Sequence, residues 1–415
     1  PRSTSKESSA ASDVYKRQIQ FEVAQPIIDR LTENGYEAYF VGGSVRDYIM
    51  NRSIHDVDIT TSATPDEIES LFEHTIPIGK DHGTINIVWN KENYEVTTFR
   101  AEGTYIEHRR PSEVYFVRDL YRDVERRDFT MNAIAMDISF QRYDYFNGEQ
   151  DIQQRLIRTV GDAETRFNED ALRILRALRF KSQLGFHIES QTYDAMQKRL
   201  SDIQFLSIER IIAELTKLLN GSFVAETFPL LQALNIWQYI PLFKDMNMSS
   251  LKIVTPLTLE AFLALILLKN GEATLKSLKL SKAQNHSVSA MVKAINTSQS
   301  IETKNALKLF VYDFGLDLSL ELLRLKEIWL ANQISLPSPL VYNEGTLRTV
   351  WDELPIKDRQ SMAINGAILM DALHLKGGPW LKKALREVEC AIIKGQLGNQ
   401  QEEIIEWVKE HVEIS

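Results

Sequence analysis

Short apolar runs alternate with helical patterns in the N-terminal part of the chain. Residues 38–41 (AYFV) form a β-rich run that ends at a Gly-Gly pair, and a helical pattern starts at Val45. Residues 57–60 indicate a second strand. Two further strands, 84–89 and 94–99, are separated by Asn-Lys-Glu-Asn, which is typical of a hairpin loop. The pattern predicts a small α+β unit built on a mixed or antiparallel sheet.

Two helices accompany these strands. Residues 20–34 are amphipathic and contain Pro26. Thr64 followed by Pro65 is typical of a helix N-cap with proline at the first helical position, and it predicts a helix over residues 66–73.

Beyond Asp162 the strand patterns fade, and apolar residues recur at helical spacing almost to the C-terminus. Glycine and proline interrupt this spacing and predict helix boundaries. The interruptions are Gly185, Gly221, Pro256, Pro337 and Gly377-Gly378. We therefore expect a mixed-sheet head followed by an all-helical region. The predicted parts are a head (19–160), a neck (161–220), a body (221–340) and a tail (341–415).

The composition is that of a globular protein, with 44% hydrophobic and 25% charged residues. The 415 residues exceed one ordinary core. The net charge of −9 means that local basic patches must hold any nucleic-acid partner, because the summed field repels phosphate. Cys390 is the single cysteine, which excludes an internal disulfide and a multi-cysteine zinc site and favours the cytoplasm.

Neither the apolar runs nor the N-terminal residues have the pattern of a membrane-spanning segment. The densest apolar run, 261–268, is much shorter than the roughly 20 residues that a membrane span needs. Residues 1–18 are rich in serine and charge, lack an apolar core and do not begin with methionine. They predict a disordered leader that need not be native.

Two aspartates open the second predicted strand. In an extended chain residues i and i+2 project to the same side, so the carboxylates of Asp56 and Asp58 face one point. Paired oxygen ligands suit Mg²⁺, or Mn²⁺ as the alternative, completed by substrate phosphates. The chemistry indicated is phosphoryl or nucleotidyl transfer. A solvated strand edge has the same pattern, so the surrounding residues must decide.

A glycine turn precedes the aspartates. Gly42-Gly43 leads directly into a helical start that contains Arg46. Glycine lets backbone N–H groups approach phosphate closely, a helix N-terminus favours anions, and the arginine can add a charge-assisted bond. A triphosphate between this turn and the metal is therefore expected, although a Gly-Gly turn alone is common.

Two arginine motifs follow. Arg126-Arg127 precede an apolar segment, and Arg127 is the better placed for a phosphate contact, with a charged helix start as the alternative. In residues 169–180 (EDALRILRALRF) helical geometry makes Asp170 and Arg173 neighbours and turns Arg179 to the opposite side. Solvated i, i+3 ion pairs would give the same pattern.

A carboxylate beside a guanidinium complements the Watson–Crick edge of cytosine and adenine. Both bases present an amino donor beside a ring-nitrogen acceptor, which Asp170 and Arg173 would bind respectively. Guanine and uracil present the reverse order and would leave two charged groups unpaired. The pair therefore predicts acceptance of CTP and ATP and refusal of GTP and UTP.

These motifs together resemble those of the class II tRNA nucleotidyltransferase and bacterial poly(A) polymerase family, within the DNA polymerase beta superfamily. The matching runs are VGGSVRDYIMNRSIHDVDITT (41–61), RRDFTMNA (126–133) and residues 169–180. Asn51 stands where the family usually has glycine, and Met131 replaces a more usual isoleucine. Asparagine tolerates left-handed backbone, so we expect the turn to be kept.

The resemblance implies a polymerase beta-like head, with Asp56 and Asp58 as catalytic and metal-binding residues. It also implies a set of nucleotide-binding residues: Gly43, Arg46, Arg127, Asp170, Arg173, Arg176 and Arg179. Helical geometry by itself places only Asp170, Arg173 and Arg176 in one pocket, and it turns Arg179 away. Two segments match the family less closely: residues 144–151 resemble its hinge and residues 207–214 a structural helix. We assign no catalytic or binding role to either segment. Glu95 is a candidate third carboxylate, and His82 is interpreted as structural.

Residues outside the shared motifs favour addition of CCA to the 3′ end of tRNA from CTP and ATP. Residues 77–85 (PIGKDHGTI) resemble the GxxHGT run of CCA-adding members, where poly(A) polymerases tend to carry Gly-Arg-Arg-Phe. Residues 102–121, with Arg109-Arg110-Pro111, resemble the mobile loop that CC-adding members shorten. Poly(A) tailing and CC-only addition remain the enzymatic alternatives.

The tail adds a weaker indication. Lys376-Gly-Gly-Pro-Trp380 predicts a helix start whose basic face (Lys382, Lys383, Arg386) resembles the tRNA-gripping tail of the family. A helical RNA-binding scaffold with an inactive head is the non-enzymatic alternative, and the intact aspartates argue against it. The sequence leaves a homodimer open.

Overall fold

The computed structural model describes residues 4–102, 105–106, 110–111, 114–271 and 274–412, with side chains from residue 18 onwards except over 102–113. Contacts divide the chain into two units, residues 1–245 and 246–415. The division into head, neck, body and tail stays a prediction.

Strands are confined to the first unit of the described chain. They are β1 (Ala38–Val41), β2 (Asp58–Thr61), β3 (Thr75–Ile76), β4 (Thr84–Trp89), β5 (Glu92–Thr98), β6 (Arg100–Glu102), β7 (Tyr105–Ile106), β8 (Arg110–Pro111), β9 (Val114–Phe116), β10 (Ile134–Met136), β11 (Arg142–Asp144), β12 (Leu156–Ile157) and β13 (His187–Ile188). The main sheet has the order β11-β10-β1-β2-β5-β4-β3. Only β2 and β5 pair in parallel among these neighbours, so the predicted mixed sheet is confirmed.

The aspartate strand lies inside the sheet. β2 pairs with β1 on one side, where Asp58 is opposite Val41, and with β5 on the other, where Ile59 is opposite Val96. Ile59 and Val96 are almost fully buried, so the strand is fixed by apolar packing as well as by two hydrogen-bond ladders. The start of β2 is thereby held at a defined place on the sheet.

Local residue choices account for several predicted elements. Thr64 caps the helix that starts at Pro65, and Glu67 completes a capping box. Asn51 has φ 57°, so the expected left-handed turn is kept without glycine. The β4–β5 hairpin is tighter than predicted, because Asn90 and Lys91 (φ 50° and 68°) form a two-residue turn instead of a four-residue loop.

The first unit contains the helices α1 (Thr4–Glu33), α2 (Gly43–Ile49), α3 (Pro65–Leu71), α4 (Leu120–Glu125), α5 (Gly148–Gln154), α6 (Ala163–Glu169), α7 (Leu172–Leu184), α8 (Ser190–Arg199), α9 (Ile208–Leu219) and α10 (Val224–Ala233). α7 and α9 pack closely. Ser182 Oγ donates to Leu218 O at 2.6 Å, and a Cβ at Gly221 would lie 2.2 Å from that hydroxyl. Glycine at this position therefore permits the close approach of the two helices.

The second unit is helical throughout its described part. Its helices are α11 (Leu259–Asn270), α12 (Lys282–Ser298), α13 (Lys304–Arg324), α14 (Lys326–Ala331), α15 (Glu344–Glu353), α16 (Gly366–Leu373), α17 (Pro379–Ile393) and α18 (Gln401–His411). α13 is kinked at Gly315, whose φ of 80° and ψ of 161° are not helical. The predicted helix start at Pro379 is confirmed.

α1 begins at Thr4, where the sequence predicts a disordered leader over residues 1–18. Residues 4–18 contain neither proline nor glycine, so nothing in them interrupts a helix that continues into residues 19–33. Residues 1–3 lie outside the described chain. None of the helices formed by the described residues combines the length and apolar character needed to cross a bilayer.

Candidate functional site

A polar cavity of about 630 Å³ opens beside the start of β2 in the first unit. Carboxylates and amides line one part of it, and two cations line another. The lining residues are Gly43, Ser44, Asp47, His55, Asp56, Val57, Asp58, Asn86, Asn93, Glu95, Arg179 and Lys217.

The two predicted aspartates share this cavity, although only one of them belongs to the strand. Asp58 is the first residue of β2, and Asp56 lies in the extended segment before it. Val57 between them is buried, and all three residues contribute to the lining of the cavity. Glu95 of β5 also lines the cavity, as its place next to Asp58 in the sheet requires.

Asp56, Asp58 and Glu95 bring three negative charges together in this cavity. Desolvation by the surrounding protein raises the pKa of Asp58 to about 6, Arg127 opposes the rise, and the charges of Glu95 and Asp56 add to it. Nearby, Asn86 Oδ1 is buried without a hydrogen-bond partner among the described residues. Within the described chain no cluster of three His, Cys, Asp or Glu side chains is placed to hold a metal ion. Asp56, Asp58 and Glu95 are the carboxylates that line the cavity.

The glycine turn adjoins the aspartate. Gly42 has φ 77°, and a Cβ there would lie 3.4 Å from Arg127 Nη1 and 3.6 Å from Asp58 Oδ2. Both the backbone conformation and the close packing favour glycine. The turn, the carboxylate and Arg127 thus meet as the sequence predicts.

Buried Asp123 positions Arg127. Its Oδ2 lies 3.6 Å from Arg127 Nη2 and accepts a hydrogen bond from Thr60 Oγ1 of β2 at 3.0 Å. Burial alone would raise the pKa of Asp123, but the charges of Arg126 and Arg127 more than offset it, so the pKa is lowered. No sequence pattern predicts this role, because only the fold brings the partners together.

Arg46 is more constrained than predicted. Its Nε and Nη2 donate to Asp47 Oδ1 at 3.0 and 2.9 Å, and its Nη1 donates to Asn132 Oδ1 at 2.7 Å. The guanidinium also lies 5.3 Å from the centre of the Phe180 ring. It borders the turn, since a Cβ at Gly43 would lie 3.6 Å from its Nη2.

Asp170 and Arg173 adjoin each other, since Arg173 N donates to Asp170 O at 3.1 Å, but their side chains bind different partners. Asp170 precedes α7 with extended backbone (φ −143°, ψ 104°), so the helical spacing used for the prediction does not apply to it. Its Oδ2 accepts from Arg210 Nη2 at 2.7 Å and its Oδ1 from Leu172 N at 3.0 Å. Arg210 belongs to α9, the helix to which the sequence assigned no chemistry.

Arg173 is turned towards other partners. Its Nη1 donates to Glu169 Oε2 at 2.6 Å and to Arg166 O at 3.0 Å, and its Nη2 donates to Arg126 O at 2.9 Å. The side chain is buried, and it does not line the aspartate cavity. Through these hydrogen bonds Arg173 stabilises the backbone that leads into α7.

Arg179 lines the cavity, whereas Asp170, Arg173 and Arg176 do not. This separation of Arg179 from the other three agrees with the helical geometry, which turns Arg179 to the opposite side from Asp170 and Arg173. Arg179 Nε lies 3.0 Å from Glu214 Oε2, and its guanidinium lies 4.1 Å from the centre of the Phe180 ring. Burial and the charge of Arg176 lower its pKa to about 10.

Arg176 completes this network. Its Nε donates to Asp128 Oδ2 at 2.6 Å, and its Nη1 lies 3.8 Å from Glu214 Oε1. Its guanidinium lies 5.4 Å from the centre of the Phe180 ring. Arg176 and Arg179 thus share one buried carboxylate and one aromatic ring, which fixes both side chains relative to α9.

Sequence reasoning missed several lining residues. Lys217 is an exposed lysine of α9, and Asn86 and Asn93 come from the β4–β5 hairpin. The nearest indication in the sequence was Glu95 of the same hairpin, the candidate third carboxylate. Nothing local distinguishes Lys217 from any solvated lysine.

Two other predicted segments are less informative. His82 lies in a short 3₁₀ turn between Gly79 and Gly83, both with positive φ, and its carbonyl accepts from Arg100 Nη1. The side chains of the predicted loop around Arg109-Arg110-Pro111 lie outside the described residues. In the second unit Arg386 donates to Asp313 at 2.6 and 2.7 Å, and Lys383 lies 3.9 Å from Glu387. Of the three cations predicted for the basic face of α17, only Lys382 therefore lacks an ion pair with a described residue.

Family models match most of the chain. The Poly A polymerase head domain matches residues 38–158, and the probable RNA and SrmB-binding site of polymerase A matches residues 185–246. A putative tRNA nucleotidyltransferase domain 2 matches residues 258–408. A CCA-adding enzyme of Staphylococcus aureus is 52% identical over 395 residues, covering 95% of this chain and 99% of that relative. The chain belongs to the CCA-adding enzyme family.

Solved structures of this family agree with the fold. The CCA-adding enzyme of Bacillus stearothermophilus in complex with CTP has a TM-score of 0.78 at 35% identity, covering 94% of this chain and 97% of its own. The Thermotoga maritima CCA-adding enzyme complexed with tRNA_CCA has a TM-score of 0.61 at 18% identity, covering 96% and 98%. The latter likeness is one of fold alone. The predicted polymerase beta-like head and helical remainder are those of CCA-adding enzymes, and the chain is a nucleotidyltransferase.

Proposed function

We propose that this chain adds CCA to the 3′ end of tRNA without a template, using CTP and ATP and releasing pyrophosphate. The observation that carries the proposal is the cavity in which Asp56, Asp58 and a glycine turn meet, in a chain aligned with a CCA-adding enzyme over nearly its full length. The crystallised relative with bound CTP supports the choice of nucleotide. A cytoplasmic location follows from such a substrate and from the single cysteine.

Membership of the family implies dependence on a divalent cation. The donors fit one, because two carboxylates share the cavity and Asn86 Oδ1 is an unsatisfied buried oxygen at its wall. Asp56 and Asp58 would hold Mg²⁺, with Mn²⁺ as the alternative. When bound, such an ion supplies Lewis-acid stabilisation of the phosphoryl oxygens.

The chain's own residues bind and orient the triphosphate. Gly43 and the preceding glycine place backbone beside the phosphates, and Arg127 adds a cation next to Asp58. Arg46 and Arg179 border the same space from fixed positions. The 3′-hydroxyl oxygen of the RNA bonds to the α-phosphorus as the bond to the bridging oxygen breaks, the hydroxyl proton is released, and pyrophosphate leaves with the electron pair.

We assign base selection to Asp170 and Arg173, supported by Arg176. Asp170 keeps free lone pairs while Arg210 and Leu172 N occupy one on each oxygen, so it can still accept from a base amino group. Arg173 must exchange Glu169 for the base before it can donate to a ring nitrogen. Base binding is therefore proposed to include a rearrangement around the start of α7.

The selection proposal is tested with the double variant Asp170→Ala, Arg173→Ala. GTP and UTP incorporation should rise relative to CTP and ATP, because the two charged groups that oppose them are gone. An unchanged preference for CTP and ATP would reject the assignment.

The overall function is tested with tRNA that lacks its terminal CCA and with each nucleotide in turn. We expect two C residues with CTP and a terminal A once ATP is added. Long A-tails on unstructured RNA would instead support poly(A) polymerase, which the match to a Poly A polymerase head domain keeps as the second candidate. Arrest after CC would indicate a CC-adding enzyme, and no incorporation would indicate an RNA-binding scaffold. Sedimentation of the same sample tests for a homodimer.

A further inference from the structure

The sequence motifs assign no role to Lys217, one of the two cations that line the aspartate cavity. Lys217 lies near the end of α9, is exposed, and lines the cavity together with Gly43 and Ser44 of the glycine turn. No carboxylate of the described chain forms an ion pair with it. The Lys217 ammonium is therefore available to pair with an anion that enters the cavity.

Arg179, the other cation that lines the cavity, is held in place by its neighbours, whereas Lys217 is not. Arg179 is buried, forms an ion pair with Glu214 at 3.0 Å and lies 4.1 Å from the centre of the Phe180 ring, so its position is fixed and its charge is compensated. Lys217 has a flexible stem and a compact charge, which suits a phosphate group whose position changes during the reaction.

We propose that Lys217 binds the β- and γ-phosphates of the incoming nucleotide and the pyrophosphate that leaves. The inference rests on the proposed function and adds a phosphate-binding residue to it. Lys217 shares one cavity with the glycine turn and the aspartates, and a cavity of about 630 Å³ is of the size that a single small-molecule ligand occupies. The triphosphate is therefore favoured over the RNA backbone as its partner.

The test compares Lys217→Met with Lys217→Arg, using tRNA that lacks CCA. For Lys217→Met we expect the KM for CTP and the inhibition constant of pyrophosphate to rise together by about tenfold, as for loss of one charge-assisted contact. The KM for tRNA should stay the same, and Lys217→Arg should recover most of the loss. Lys181→Met, on the adjacent α7 and outside the cavity, is the matched control for loss of one positive charge and should leave all three constants unchanged.

An unchanged inhibition constant of pyrophosphate in Lys217→Met would overturn the proposal. A raised KM for tRNA alone would reassign Lys217 to the RNA. Unaltered thermal unfolding of the variant, expected for an exposed side chain, shows that folding is not the cause. If the unsubstituted protein adds no nucleotide to tRNA, the proposed function fails instead, and pyrophosphate binding measured directly by calorimetry still tests Lys217.

Discussion

Asp58 shows a conflict between folding and function at a single residue. Desolvation by burial is the main reason why its pKa is raised to about 6, and the charges of Glu95 and Asp56 add to the rise. Arg127 offsets part of that rise but is itself shared with Asp123. A carboxylate kept where its neighbours repel it is typical of a functional site.

Replacing Asp58 by Asn therefore separates stability from activity. We expect nucleotide incorporation to fall by at least about 1,000-fold, in line with loss of a residue central to electrostatic catalysis. The thermal unfolding midpoint should stay the same or rise, because one of three like charges is removed. Primer extension and a thermal melt measure the two effects. A variant that loses activity only because it unfolds would contradict this account of Asp58.

Glu214, unlike Asp58, stabilises the fold, because the guanidinium groups of Arg176 and Arg179 both pair with it. Glu214→Gln leaves Arg176 and Arg179 without a shared negative charge, and we expect a loss of about 2–4 kcal/mol in the free energy of unfolding. Urea denaturation measures it. Glu226→Gln, an exposed position on α10, is the control and should change little. Equal midpoints for the two variants would show that the network contributes nothing to stability.

The residues that sequence could predict are those whose relationship is local. Asp56 and Asp58 face one cavity because alternation along an extended chain is a property of the backbone, and Asn51 keeps its turn because asparagine tolerates positive φ. The bond from Arg210 to Asp170 joins residues 40 apart, so no spacing rule reaches it. Lys217 likewise needs the packing of α9 on α7 to reach the cavity.

At the level of elements, the predictions failed where a boundary was misplaced. The helix with the base-selecting motif starts at Leu172, two residues after Asp170, so helical spacing does not describe where the Asp170 side chain lies. The first hairpin strand has the predicted bounds, but the second starts at Glu92 instead of 94, because the left-handed Asn90 and Lys91 shorten the turn. Element boundaries depend on capping and turn details that apolar periodicity does not contain.

α13 and α17 of the second unit are joined through Glu389. It accepts from Arg359 at 2.6 Å and from Tyr312 at 3.1 Å, and Arg386 links it to Asp313. Burial alone would raise the pKa of Glu389, but these donors more than offset it and lower the pKa. The carboxylate thus contributes stability in its ionised form.

The pH dependence of stability tests this contribution. A folded-state pKa below the unfolded value means that the contribution is complete above the unfolded pKa, about 4.3, and is lost as the pH falls through the folded value. Glu389→Gln should therefore destabilise the protein by about 1–3 kcal/mol at neutral pH and by progressively less in acid. Urea unfolding at several pH values measures the difference. Glu387→Gln on the same helix should show no such trend.

Across the whole molecule, a net charge of −9 must be reconciled with an RNA substrate. Binding then depends on local cations, and releasing their counterions makes it sensitive to salt. Between about 50 and 200 mM salt we expect the KM for tRNA to rise by about tenfold or more, and that for CTP to rise less. Steady-state kinetics with each substrate measure both. A tRNA KM that does not respond to salt would exclude an electrostatic mode of RNA binding.

The position of β2 between an antiparallel and a parallel neighbour has a further consequence. Because hydrogen-bond ladders hold both of its edges, amide protons at Ile59 and Thr60 should exchange with deuterated water only when much of the sheet opens. The carboxylate that begins this strand therefore keeps its place through the replacement of one substrate by the next. Whatever moves between successive additions must lie elsewhere in the protein.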